Sequence, residues 1–263
     1  MKKLLLKLTI FGSLIFFIEY EISNLIREGK FNINIINSGI FILQEKSKQQ
    51  HIAPRLIIGD SVCDQLYSGN LDNSTLCSLA SNQGVTIAGY YMLIYNYLQK
   101  NKPKEIYLLV HPSTLQNNLS KVSYNYFLKP FYNKEYKHLI NETLHKEIKQ
   151  IPNYWMCQLP IFFSTSYTPV YETSKTNPIS NISKAYIDSI NNICNKNNIK
   201  FQLVISPVSD IYKKEFSLIK EKLHEEPYNS AFSKIEFIPD SLFIDHTHFK
   251  HKYIPNDYLK LYE

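Results

Sequence analysis

Beyond residue 54, short unbroken apolar runs alternate with stretches of helical periodicity. Arg55-Leu56-Ile57-Ile58 ends in Gly59, and Ile106-Tyr107-Leu108-Leu109-Val110 ends in His111. Phe201-Gln202-Leu203-Val204-Ile205 has the same character, Ile235-Glu236-Phe237-Ile238 has it more weakly, and Thr75–Ala80 is a shorter candidate. Runs of this length bounded by turn signals suit strands buried on both faces. Between them, Ala88 to Leu98 is apolar around most of its turn. Tyr186, Ile187, Ile190 and Ile193 repeat at helical spacing, as do Tyr212, Phe216, Ile219 and Leu223, and a further helix is expected within Tyr132–Ile148. Strands alternating with helices predict an α/β domain with a parallel sheet covered on both faces. Ligands of such sheets sit beyond the C-terminal strand ends. Ser61, His111 and Ser206 all follow predicted strands, so this edge is where chemistry is expected.

Ahead of that domain the pattern changes. Lys2, Lys3 and Lys7 precede the apolar stretch Leu8–Ile18, the charge order of an export signal. No small-x-small cleavage site follows; Glu19, Tyr20 and Glu21 do. A spanning helix needs ~20 apolar residues, so Leu8–Ile18 alone is short, but counted from Leu4, with Lys7 snorkelling, the stretch becomes adequate. The expectation is an uncleaved signal anchor with its lysines cytoplasmic and its body exported; a helix packed on the domain is the alternative. The chain then divides into an anchor (1–30), a connecting segment (31–54) and one catalytic-type domain (55–263).

Composition adjusts this picture little. The 263 residues are 44% hydrophobic, enough for one sizeable core. A net charge of +6 is spread out and interleaved with Glu and Asn, which predicts no nucleic-acid partner. Cys63, Cys77, Cys157 and Cys194 lack metal-type spacing. A Cys63–Cys77 bridge and four separate buried thiols are both open. No Walker-type loop, Gly-x-Gly-x-x-Gly or Gly-x-Ser-x-Gly elbow occurs, so a nucleotide-dependent enzyme is not expected, and the serine chemistry read below needs no metal or organic cofactor.

Gly59-Asp60-Ser61 follows the first core strand directly. A serine hydroxyl is a weak nucleophile unless a base takes its proton and a third group orients that base. Near the other end, Phe243-Ile244-Asp245-His246-Thr247-His248-Phe249 offers both, because a turn can point Asp245 and His248 the same way. Alternatives stand beside this reading. Ser61 is also a good helix N-cap. His246 is a rival base, and His246, His248 and His251 together suggest a zinc site, although no metal is expected. His111 is either a site-lining or a loop residue. Among the 20 tyrosines, Tyr90, Tyr91, Tyr95 and Tyr97 are dense enough for carbohydrate stacking, with core packing the default.

These blocks resemble the SGNH (GDSL-type) hydrolase family. Gly59-Asp60-Ser61 matches its first block, and Asp245-x-x-His248 followed by Phe249 is similar to its last. Asn82-Gln83-Gly84-Val85-Thr86-Ile87-Ala88-Gly89 is similar to the second, which makes Gly84 N–H an oxyanion donor beside that of Ser61. The resemblance implies a three-layer α/β/α sandwich with a mostly parallel, flavodoxin-like five-stranded sheet. The family's third block, Gly-x-Asn-Asp, is missing: this chain has Val110-His111-Pro112-Ser113-Thr114-Leu115-Gln116-Asn117-Asn118, where Ser113 or Asn117 is the candidate substitute for the asparagine donor. Divergent members tied to polysaccharide O-acetylation often lack that block.

The sequence therefore predicts a membrane-anchored serine esterase or O-acyltransferase acting on an acylated or acyl-accepting carbohydrate. Ser61 is the nucleophile, His248 the base and Asp245 its orienting acid. The alternative is a catalytically degenerate member serving as an anchored glycan-binding or assembly component.

Overall fold

The computed structural model describes residues 1–27, 38–82, 85–116, 119, 127–151, 154 and 178–254. Among these, the first elements are α1 (Lys2–Arg27), α2 (Ser38–Ser47), β1 (Arg55–Gly59), α3 (Ser61–Leu66), β2 (Leu76–Ala80) and α4 (Ile87–Leu98). Next come β3 (Glu105–Val110), α5 (Pro112–Leu115), α6 (Lys129–Phe131), α7 (Glu142–Gln150) and α8 (Asn181–Lys196). The chain continues through β4 (Lys200–Ile205), β5 (Val208–Ser209), α9 (Lys213–Lys220), α10 (Tyr228–Ser233) and β6 (Phe237–Ile238). Four strands form one all-parallel sheet in the order β2-β1-β3-β4. The fold is α/β.

Alternation along each strand sends neighbouring side chains to opposite faces. Leu56, Ile58, Ile106, Leu108, Val110, Leu203 and Ile205 join the larger core with residues of α2, α4, α8 and α10. Ile57, Tyr107, Leu109 and Val204 face the other way, under Leu66, Tyr67 and Leu71 around α3. Both faces are covered, which is why the strands read as unbroken apolar runs instead of alternating ones.

Several expectations need correction. The run at 235–238 does not extend the main sheet. Its Phe237–Ile238 pairs in parallel with β5, the short segment that follows β4. Ser206 N–H still donates to Val110 O, whereas Val208 N–H donates to Glu236 O, so pairing changes partner across Pro207. Proline has no N–H to carry a ladder through that point. The expected five-stranded sheet is thus four strands plus a displaced two-stranded one among the described residues. Within Tyr132–Ile148, the helix is shorter: a 3-10 turn at Lys137–Leu139 precedes α7, which starts at the Asn141 cap. Leu223 lies beyond α9 although its period matches. The segment assigned as a connector contains α2, whose Ile40 and Leu43 belong to the main core. Its apolar block, Ile40 to Leu43, is followed by the polar block Gln44 to Ser47, so no 3.6-residue stripe marks it for a periodicity reading.

Residues 2–27 do form one helix, with Leu4, Leu5, Leu6, Leu8, Ile10, Phe11 and Leu14 to Ile18 exposed along it. Among the described residues, however, no helix is long and apolar enough to cross a membrane. Lys7 on one side and Glu19 and Glu21 on the other interrupt the apolar stretch. Cys63, Cys77 and Cys194 are free, buried thiols, so the Cys63–Cys77 bridge does not form; Cys157 lies outside the described residues.

Candidate active site

The approach to Ser61 is set by Gly59. Its partner in the β1–β3 register is Leu109, and a Cβ at Gly59 would collide with the Leu109 carbonyl oxygen. Only glycine lets β3 come so near at the strand end. Asp60 then caps α3: its Oδ1 accepts from the N–H groups of Val62 (3.1 Å) and Cys63 (3.4 Å). Ser61 is therefore the first helical residue and not the cap, which frees its hydroxyl. The other oxygen of Asp60 reaches across to the end of β3, accepting from His111 N–H (2.7 Å) and Thr114 Oγ1 (2.6 Å). One buried carboxylate thus fixes both the helix that bears Ser61 and the loop after β3.

His248 comes from a tight hairpin between Phe243 and Phe249, which pair across it with stacked rings 4.8 Å apart. Ile244 N–H donates to His248 O at 2.7 Å. Inside the turn, Asp245 Oδ1 accepts from the backbone of Thr247 and His248, and His246 takes positive φ (64°) to complete it. The hairpin is docked on α3 by two contacts. Phe243 and Phe249 pack on Val62, and the Gln65 amide both accepts from Phe249 N–H (3.0 Å) and donates to its carbonyl (3.3 Å).

Docking brings residues 187 positions apart into contact. Ser61 Oγ lies 2.7 Å from His248 Nε2, while His248 Nδ1 lies 2.8 Å from Asp245 Oδ2. A carboxylate accepts only, so Nδ1 carries the proton and Nε2 accepts from the serine hydroxyl. This is the protonation arrangement that general-base activation of an alcohol needs. Partial burial works against ionisation of Asp245, but the His248 backbone and ring N–H groups outweigh it and hold the carboxyl below its ordinary range. Asp245 thus stays charged wherever imidazole can act as a base. His248 is about one-third exposed, so the constellation opens to solvent at the sheet edge.

Ser61, Asp245 and His248 are therefore brought together as their order suggested. Gly84 and Asn117 lie outside the described residues. Ser113 is committed elsewhere, its Oγ sitting 2.7 Å from His111 Nδ1 and its N–H donating to that nitrogen. His111 is buried beside the site, with an Nε2 that has no partner. Leaving such a donor unsatisfied costs ~1–3 kcal/mol. His246 is not on the serine: its Nδ1 lies 2.8 Å from Asp240, and Ser209 Oγ donates to that same carboxylate. Reading the sequence alone missed Gln65, Thr114 and the double duty of Asp60. An Asx residue directly before a helix was the one local signal for the last of these.

The remaining candidates fall to packing. Tyr90 and Tyr97 are buried, Tyr91 packs on Tyr186, and Tyr95 meets His138 edge-on, so the dense tyrosines serve the core first. Cys63, two residues from Ser61, is no rival nucleophile: burial and the charges of Asp60 and Asp64 push its thiol pKa well up. His246 and His248 are divided between different partners, Asp240 and Asp245, so the His246, His248 and His251 set does not converge on one ion. Among the described residues, His51, Asp72 and Cys77 come within metal-ligand distances of one another. Both ring nitrogens of His51 are already bonded, to Asp72 (2.7 Å) and to Lys46 O (2.9 Å), leaving none for an ion.

Fold and site together define an α/β protein with a parallel four-stranded sheet and a solvent-accessible Ser–His–Asp constellation at its C-terminal edge. Comparison of the chain with family models, curated proteins and solved structures found no match.

Proposed function

We propose that this protein is a serine esterase or O-acyltransferase of SGNH type, acting on ester groups of a glycan. The carrying observation is the relay from Ser61 Oγ through His248 to Asp245, at 2.7 and 2.8 Å. Ser61 Oγ adds to the ester carbonyl while His248 Nε2 takes its proton. The tetrahedral intermediate collapses, His248 returns the proton to the departing alcohol, and the acyl group stays on Ser61. Water attacking the acyl-serine, with His248 again as base, makes the protein an esterase; a sugar hydroxyl makes it a transferase. Asp245 holds the ring and stabilises the imidazolium. No metal or organic cofactor enters any step.

Two features bear on the finer assignment. The strand order 2-1-3-4, with β6 paired beyond the Pro207 break, suits the flavodoxin-like sheet of that family. A constellation this open accommodates a bulky polymer more readily than a closed pocket would. The acetyl group and the glycan are the substrate classes that the divergent, third-block-lacking relatives suggest. The lysine-flanked, exposed apolar helix α1 supports retention at a membrane surface. Membrane association is checked by fractionation of the full chain, and complete recovery in the soluble fraction refutes it.

The direct test is acetyl release from an aryl acetate and from an acetylated glycan, with wild type beside Ser61→Ala. Wild-type turnover falling at least ~10³-fold in the variant is expected. Equal rates in the two proteins reject the nucleophile and leave the non-catalytic, glycan-binding reading.

A further inference from the structure

His111 stands two residues beyond the Gly59–Leu109 pair of the β1–β3 register, as Ser61 does on the neighbouring strand. Its backbone is fastened to Asp60, the residue before Ser61, by a 2.7 Å hydrogen bond. Ser113 fixes the ring. Its backbone N–H donates to Nδ1 at 3.3 Å, and its hydroxyl lies 2.7 Å from the same nitrogen. Nδ1 is thus the acceptor, and the ring proton belongs on Nε2. Burial disfavours the imidazolium and pushes the pKa down to about 4 against the opposing charge of Asp60, and the smaller influences of His248 and Asp245 also reach the ring. At neutral pH the group is therefore a neutral N–H donor within electrostatic reach of the triad. That N–H is buried and bonded to nothing. A buried donor without a partner in a functional protein calls for an explanation, and a ligand that arrives later is one.

We propose that the Nε2–H of His111 is an oxyanion donor for acyl transfer at Ser61. The inference rests on the acyl-transfer reading of Ser61 and adds a residue that reading did not contain. When Ser61 Oγ adds to the carbonyl carbon, the π pair of the C=O bond moves onto oxygen. His111 donates a hydrogen bond to that oxygen and transfers no proton. On collapse the pair returns to re-form the carbonyl, and the alkoxide leaves with the proton held by His248. A neutral imidazole suits this task, because it remains a donor throughout and adds no charge that would pull His248 away from its basic form. The N–H is covered, and Phe216 of α9 stands edge-on to the ring with centroids 6.4 Å apart. Substrate entry must uncover it, consistent with catalytic hydrogen bonds that form only in the complex. Ser113 then becomes a positioning residue, holding the tautomer that keeps the proton on Nε2.

The test compares wild type, His111→Phe, His111→Asn and Ser61→Ala on an aryl acetate, with a fluorophosphonate as covalent probe of Ser61. His111→Phe should lose ~10²–10³ in kcat with KM changed less than about three-fold, the signature of an interaction made mainly in the transition state. His111→Asn, which keeps an N–H donor, should recover part of that loss. A readout that a purely structural role would leave unmoved comes from ring-15N-histidine NMR on the wild type. The Nε2–H tautomer should be seen at neutral pH, and its proton should shift downfield once Ser61 is phosphonylated. If His111→Phe fails to fold, the asparagine variant and the NMR shift decide. A folded His111→Phe protein with wild-type kcat, or an Nε2–H signal unmoved by phosphonylation, overturns the donor role while Ser61 stands. Wild type that is neither labelled nor faster than Ser61→Ala overturns both readings together.

Discussion

The hairpin at residues 240–250 carries two Asp–His pairs of nearly the same geometry and very different consequence. Asp245 meets His248 Nδ1 at 2.8 Å, and Asp240 meets His246 Nδ1 at 2.8 Å. Beyond His248 lies Ser61 at the end of a buried strand; beyond His246 lies solvent, its side chain being more than half exposed. Ser209 does join the second pair, but it donates to the carboxylate and never meets the ring. Asp240 also accepts nothing from the triad; its own N–H is tied to Asp210 Oδ1 at 3.1 Å. That pair fastens the hairpin base to the turn after β5. An Asp–His contact is thus only half of a relay, and the position of the second ring nitrogen decides whether it becomes chemistry.

The largest expected effect separates the two histidines. On an aryl acetate, His248→Ala should lower kcat by ~10³-fold or more, and Asp245→Asn by ~10²–10⁴, since the amide favours the wrong tautomer. His246→Ala and Asp240→Asn should stay within about three-fold of wild type. Rates lost equally at both pairs would mean that the hairpin, and not His248, is what catalysis needs.

A smaller effect isolates the docking of the hairpin. Gln65→Ala removes both amide contacts to Phe249 without touching the triad. Stability should fall by ~1–2 kcal/mol in denaturant titration, the ordinary worth of partly buried hydrogen bonds. kcat should drop by roughly ten-fold as His248 loses its fixed approach to Ser61. Unchanged kcat with the expected stability loss would show that Val62, Phe243 and Phe249 alone hold the register.

How much of this was legible depended on the range of the interaction. The β1, β3 and β4 runs were readable because strands buried on both faces have no polar positions to confuse the pattern. β6 was readable as extended but not as displaced, because the break at Pro207 acts through a partner strand. α2 was missed, its apolar block followed by a polar one leaving no periodic stripe to detect. Ser61, Asp245 and His248 were found from residue type, order and local spacing. Choosing His248 over His246, by contrast, requires knowing which ring faces the serine.

The parts with short-range causes follow from local residue order. These are the buried strand ending in Gly59, the cap and serine that follow, and the Asp245 turn that presents His248. Long-range packing decided that Gln65 and a cluster of three apolar side chains would seat that turn on α3. It likewise decided that Asp60 would tie two strand ends together, and that His111 would lie buried beside the triad with a free N–H. Such arrangements join residues tens to nearly two hundred positions apart, and no local pattern records them. They come from the packing of the sheet edge, where loops from different strands must share one small space.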